Sequence, residues 1–214
     1  MDLDSITKIT QILFYCGGLL VGALTYRRAR STILNTVNTE YHKKVLERLA
    51  DLSEELYREF DFSSDEAWHN QDDVGEVVQR LHDEIVQHKD AILASGEVDS
   101  GIPMSPKQMQ LMSLKKRYKS DPFLPEPIRN KVISLLEKRS NAMLGAYFAV
   151  MKQYMSALAK GQHWDTLETN KHWLHNQVMD RLRKEGVGIS EVEEAVHDIR
   201  LEIQRYFKQF SPVA

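Results

Sequence analysis

Ile9-Thr-Gln-Ile-Leu-Phe-Tyr-Cys-Gly-Gly-Leu-Leu-Val-Gly-Ala-Leu-Thr-Tyr26 is a run of 18 residues without a charge, framed by Lys8 and Arg27. Coiled as an α-helix it rises roughly 27 Å, close to the ~30 Å hydrocarbon core of a bilayer. Ile12, Leu13, Phe14, Leu19, Leu20, Val21 and Leu24 fill its middle, and Tyr26 stands where an interfacial aromatic would lie. The pattern predicts one N-terminal transmembrane helix. A cleaved signal peptide would need a similar greasy core, with Val21 and Ala23 small enough to flank the cut. Against it, Asp2 and Asp4 precede Lys8 where an export signal carries net positive charge, and Arg27, Arg28 and Arg30 follow at once.

Because Lys and Arg are retained on the cytoplasmic side, those three arginines place residues 27–214 in the cytoplasm and the short acidic N-terminus outside. They also suit contact with anionic headgroups at the membrane surface. Around the predicted span, Gln11, Tyr15, Gly18, Gly22, Thr25 and Ala29 recur at spacings of four and three, whereas Ile9, Leu13, Leu20 and Leu24 lie on the other side. One face is therefore small and polar, suited to packing against another helix, and one suits lipid. Gly18 and Gly22 within it form a GxxxG pair.

From Ala23 to Val74 there is neither glycine nor proline, so nothing stops the helix from running on past Arg27 to about Phe60. Residues 27–60 are read as a long juxtamembrane helix, with Ile33, Val37, Tyr41, Val45, Leu49, Leu52, Leu56 and Phe60 as its apolar stripe. Residues 61–214 are read as a helical bundle. After a polar connector from Asp61 to Asp73, Val74, Val77, Val78, Leu81, Ile85 and Ile92 mark a second helix that should end near Ser95-Gly96. Five of the six prolines fall in a connector at 103–127, within which Ser105-Pro106-Lys107-Gln108 offers a serine cap, a proline at the first helical position and a glutamine three residues on.

A long helix is expected from Pro127 to Lys160, with Gly161 beyond its end; its stretch Ala142 to Met151 is apolar on all sides and reads as buried core. Arg139 and Lys152 bracket that stretch too closely for a second membrane span. Leu167, Leu174, Val178 and Leu182 mark the next helix. The last opens at Ser190 and Glu193 as a capping box and carries Val192, Val196, Ile199, Ile203, Tyr206 and Phe210. Strand-like alternation is absent. The fold class is all-α: a transmembrane helix in residues 1–26, then a cytoplasmic bundle with long helices.

Lys+Arg number 28 against Asp+Glu 31, a net charge of −3, which excludes a polybasic nucleic-acid binder. The single cysteine, Cys16, excludes an intramolecular disulfide and self-contained cysteine metal cages. No glycine-rich phosphate loop, G-x-S-x-G elbow or H-E-x-x-H helix occurs. Glu168, His172 and His175, at offsets of four and three, share one helical face and are the candidate metal ligands; as three ligands on one helix they read more simply as a helix boundary. Glu66-x-x-His69 and Glu194-x-x-His197 match di-iron spacing, but in the wrong context. His88 falls in the second helix's apolar stripe, where it allows a pH response but reads more simply as a neutral, hydrogen-bonded core histidine. Lys115, Lys116, Arg117 and Lys119 form the one dense basic run of the bundle, a solvated helix end or a contact for lipid or an acidic partner. The dipeptides His163-Trp164 and His172-Trp173 read as coincidence.

The expectation is a single-pass scaffold, assembly or regulatory subunit that binds protein partners or itself, with no cofactor and no nucleic acid. A membrane-linked effector or sensor and a metal-dependent enzyme are the alternatives.

Overall fold

A computed structural model of the chain describes residues 3–70 and 73–209, the stretch 3–13 as backbone alone. Among the described residues there is no strand, and α-helices follow in the order α1 (Leu3–Tyr57), α2 (Asp73–Ile85), α3 (Lys89–Ser95), α4 (Pro106–Lys119), α5 (Glu126–Ala159), α6 (Leu167–Lys184) and α7 (Ile189–Lys208). The all-α class is as the periodicity predicts. Two compact units are present, one ending at Glu47 and one starting at Arg48.

In the first unit every residue from Phe14 to Tyr41 is helical and exposed. Three of its threonines bond back to the helix: Thr32 donates to the Arg28 carbonyl at 3.0 Å, Thr36 to that of Thr32 at 3.0 Å and Thr39 to that of Asn35 at 2.8 Å. Ile33, Val37 and Tyr41, this part of the predicted stripe, stand exposed. Among the described residues no helix is long and apolar enough to cross a membrane. The uncharged run from Phe14 to Tyr26 rises only about 20 Å, short of the ~30 Å core. Gln11 and the other side chains of residues 9–13, which complete the expected span, lie outside the described residues, as does Phe210.

The second unit is a bundle around α5. α4, α6, α7 and α3 pack on α5, and α2 packs on α6. Leu49, Leu52 and Leu56 at the end of α1 are buried, as are Val74, Val77, Val78, Leu81 and Ile85 of α2 and Leu174, Val178 and Leu182 of α6. Each set repeats at three and four residues, the spacing that lines one helical face. On α7 the buried set is Val192, Val196, Ile199 and Ile203. The cap predicted before α4 forms: Ser105 Oγ accepts from the Gln108 N–H at 3.1 Å, with Pro106 at the first helical position. Gly96 and Gly161 take left-handed φ of 72° and 82°, ending α3 and α5 as expected.

Four expectations are corrected. α1 ends at Tyr57 rather than Phe60, and Phe60 is buried from the turn that follows. The second helix breaks into α2 and α3 at a 3-10 turn, Val86–His88, which rotates His88 out to solvent. α7 starts one residue before Ser190, capped by extended Gly188 and not by a side chain, so the serine lies inside the first turn and the capping box does not form. The apolar stretch of α5 is buried only in part, for Leu144 is 54% and Phe148 56% exposed. Neighbouring helices cover Met143, Ala146, Tyr147, Val150 and Met151 and leave the remaining face open.

Candidate functional site

Of the residues expected to pack across the membrane, Tyr15, Gly18, Gly22 and Thr25 lie on the exposed stretch of α1. Phe14, Tyr15, Gly18, Leu19, Gly22 and Ala23 line a shallow concavity on that helix. A methyl added at Gly18 or Gly22 would meet nothing within 4 Å. Arg27, Arg28 and Arg30 follow one helical turn further, all exposed. Cys16 is exposed as well.

The basic run is drawn inward by carboxylates. Lys115 Nζ lies 2.7 Å from Glu137 Oε1, and its proton donation and positive charge hold the Glu137 carboxyl below the usual range. Arg117 pairs with Glu55, and the Tyr118 hydroxyl, on a buried side chain, donates to the same carboxylate. Lys116 and Lys119 remain exposed. Half of the run thus fastens α4 to α5 and to the end of α1, a role that its sequence did not reveal, because both acidic partners are far away along the chain.

The three metal candidates share α6 without converging on a common point. Glu168 pairs with Lys171 at 2.7 Å from an exposed position, His172 is exposed and His175 is half-buried. Among the described residues no group of three or more His, Cys, Asp or Glu side chains is placed to hold a metal ion. His69 is stacked on Phe62 at 5.3 Å between ring centres, away from any such set.

The two His-Trp dipeptides, by contrast, do meet. His163 adopts a left-handed φ of 67° and stacks on Trp173 at 5.6 Å. Asn170 Nδ2 donates to the His163 carbonyl at 2.7 Å and to the Tyr154 hydroxyl at 3.3 Å. Burial raises the Tyr154 phenol, and the Asn170 hydrogen bond offsets this only in part. Trp164 Nε1 donates to the Leu158 carbonyl at 2.9 Å, closing the turn between α5 and α6. These bonds secure the left-handed His163 against the cost of that backbone conformation.

The densest electrostatic feature is one that no motif announced. Glu59, just past α1, receives both arms of Arg139 from α5, Nη1 to Oε2 at 3.0 Å and Nη2 to Oε1 at 2.8 Å. Lys107 Nζ of α4 approaches from 3.1 Å, and all three side chains are no more than 15% exposed. Burial alone would raise the Glu59 carboxyl; the charges and hydrogen bonds of Arg139 and Lys107 outweigh it and leave the group below its ordinary value. Nearby, Asp73 at the start of α2 accepts from the Lys107 backbone N–H at 3.2 Å. There burial wins, and the carboxyl is raised despite that bond and the Lys107 charge. A second junction joins Arg48 Nε to buried Asp121 Oδ2 at 2.6 Å, while Asp121 Oδ1 accepts from the Phe123 N–H at 2.9 Å.

These clusters tie helices together, and between the Arg48 and Arg117 junctions lies a polar cleft of about 280 Å³ lined by Glu54, Glu55 and Arg58 among others. Compared with protein-family models, curated protein sequences and solved structures, the chain shows no match.

Proposed function

We propose that the protein is a single-pass, membrane-anchored helical scaffold, an assembly or regulatory subunit whose bundle binds other proteins on the cytoplasmic side. The observation that carries this reading is the exposure of large apolar side chains on α1 directly before three arginines. Phe14 is 78% and Leu19 75% exposed, with Leu20, Val21, Leu24 and Tyr26 exposed beside them. An apolar surface of this kind costs free energy in water and needs a lipid or protein cover. Lipid suits the uncharged stretch that begins at Ile9, and Arg27, Arg28 and Arg30 then fix the orientation with the N-terminus outside. The ion-paired junctions of the bundle support a rigid platform.

The test is carbonate extraction of the full chain from native membranes, with protease added to unbroken cells. Retention in the pellet and protection of the C-terminal portion are expected. Release into the supernatant, or digestion from outside, overturns the proposal.

A further inference from the structure

The exposed face of α5 offers a second, different surface. Lys138, Asn141, Ala142, Gly145, Phe148 and Lys152 keep to one side of the helix over roughly 21 Å. Leu144 flanks Gly145 and Phe148, and both Leu144 and Phe148 are more than half exposed. The Lys152 ammonium sits 5.8 Å from the centre of the Phe148 ring.

Beside this face, α5 and the last turn of α6 enclose a groove of about 540 Å³, with Ala142, Gly145 and Ala146 along it and Lys138, Arg181 and Lys184 at its rim. Glu185 is the one carboxylate lining it, and Glu137, the nearest acid on α5, is already paired with Lys115. Among the described residues Arg181 and Lys184 form no ion pair, while Lys138 donates to the Gly186 carbonyl at 2.9 Å. The surface thus has an apolar centre about two turns long, Ala142 to Phe148, with Lys152 at one end and, at the other, Lys138, Arg181 and Lys184 outnumbering Glu185.

We propose that the exposed face of α5, with the groove along its edge, docks an acidic amphipathic helix of a partner protein. A helix laid along α5 would place apolar anchors at i, i+3, i+4 and i+7 against Leu144, Gly145 and Phe148. Carboxylates near its two ends would meet Lys152 on one side and Arg181 and Lys184 on the other. Charge complementarity selects this occupant: a basic helix would be repelled from both ends, and a second copy would bring the same cations to the contact. The inference rests on the scaffold reading and names its partner's chemistry.

The test places photoreactive benzoylphenylalanine at Phe148 in the full chain, irradiates native membranes and sequences the cross-linked peptide. A helix-forming segment with Asp or Glu flanking an apolar stripe is expected. Its yield should fall at least tenfold in the Arg181→Glu, Lys184→Glu double variant and in Gly145→Trp. Gly145 is exposed and a methyl added there meets nothing within 4 Å, so a side chain at this position starts on the open face. Helicity and melting of each variant confirm that the fold is kept. No protein adduct, an adduct with lipid or with another copy of this chain, a peptide without flanking acids, or a yield indifferent to both variants each overturns the inference. A parallel probe at Leu34 separates the two proposals: protein adducts there with none at Phe148 remove this groove alone, and silence at both positions removes the scaffold reading too.

Discussion

Glu59 and Arg139, 80 residues apart, meet in a two-point ion pair of 2.8 and 3.0 Å at the junction of the α1 terminus with α5. Lys107 adds a second cation from α4 at 3.1 Å, so one carboxylate is shared by two largely buried positive charges. Removing the acid strands both. Glu59→Ala is expected to destabilise the bundle by on the order of 3 kcal/mol, the usual effect of breaking one side of a buried pair. Arg139→Lys, which keeps the charge but loses the two-point fit, should cost less. Urea denaturation of the chain in detergent measures both, and equal losses would show that charge without the two-point geometry contributes nothing at this junction.

The same carboxylate sets an acid limit. Its value is lowered in the folded chain, so its contribution is fully present above the unfolded value and is lost as pH falls through the folded one. Asp73 has the opposite sign. Its raised value means that the native state prefers the protonated form, so its penalty grows as pH rises from the ordinary carboxylate range and is complete above the raised value. Glu59→Gln should therefore flatten the loss of stability on acidification below the ordinary glutamate range. Asp73→Asn, whose amide oxygen still accepts from the Lys107 N–H, should raise stability at neutral pH and not below the ordinary aspartate range. Melting temperatures from about pH 3 to pH 7 check the signs; a parallel offset at every pH in either variant refutes the assignment.

What the sequence makes legible is whatever repeats locally. Buried faces on α2, α6 and α7 follow from apolar residues at three and four, and Ser105-Pro106 marks the start of α4 because its chemistry is complete within four residues. The junctions are illegible for the complementary reason. Glu59 with Arg139, Arg48 with Asp121 and Glu55 with Arg117 join residues 62 to 80 positions apart, and exposed salt bridges use the same residue types with no distinguishing pattern. The α5 face was misread because an all-apolar run predicts burial only when helices surround it. Here one face remains open, with Gly145, Leu144 and Phe148 upon it. The break at Val86–His88 contains neither glycine nor proline, so its letters look helical throughout.

The serine cap of α4 can be weighed directly. Ser105 is fully buried, and its hydroxyl oxygen satisfies a Gln108 N–H that the helix itself leaves unpaired. Ser105→Ala should cost about 1 kcal/mol, or roughly 2–4 °C in melting for a unit of this size. Ser105→Asp, which restores an acceptor, should recover part of it if the larger group fits. Ser190→Ala is the matching control: since Gly188 occupies the cap of α7, this substitution should change melting by less than about a third of the Ser105→Ala effect. A large Ser190→Ala effect would return the capping box to α7.

Under the membrane-anchor proposal, the two sides of α1 have different roles, one toward lipid and one toward another helix. Gly18 and Gly22 lie four residues apart, and methyl groups added there meet nothing in the chain. Gly18→Leu with Gly22→Leu therefore leaves the isolated fold intact and, if the anchor pairs with another membrane helix, blocks close backbone approach. Self-association in a membrane two-hybrid assay should drop several-fold, whereas Leu20→Ala with Leu24→Ala, on the opposite side, should leave it near the parental level. Loss in both pairs would point to failed insertion, which carbonate extraction of the same variants detects. An unchanged signal in the glycine pair would mean that the small-residue face does not mediate self-association, leaving contact with another membrane subunit as its remaining role.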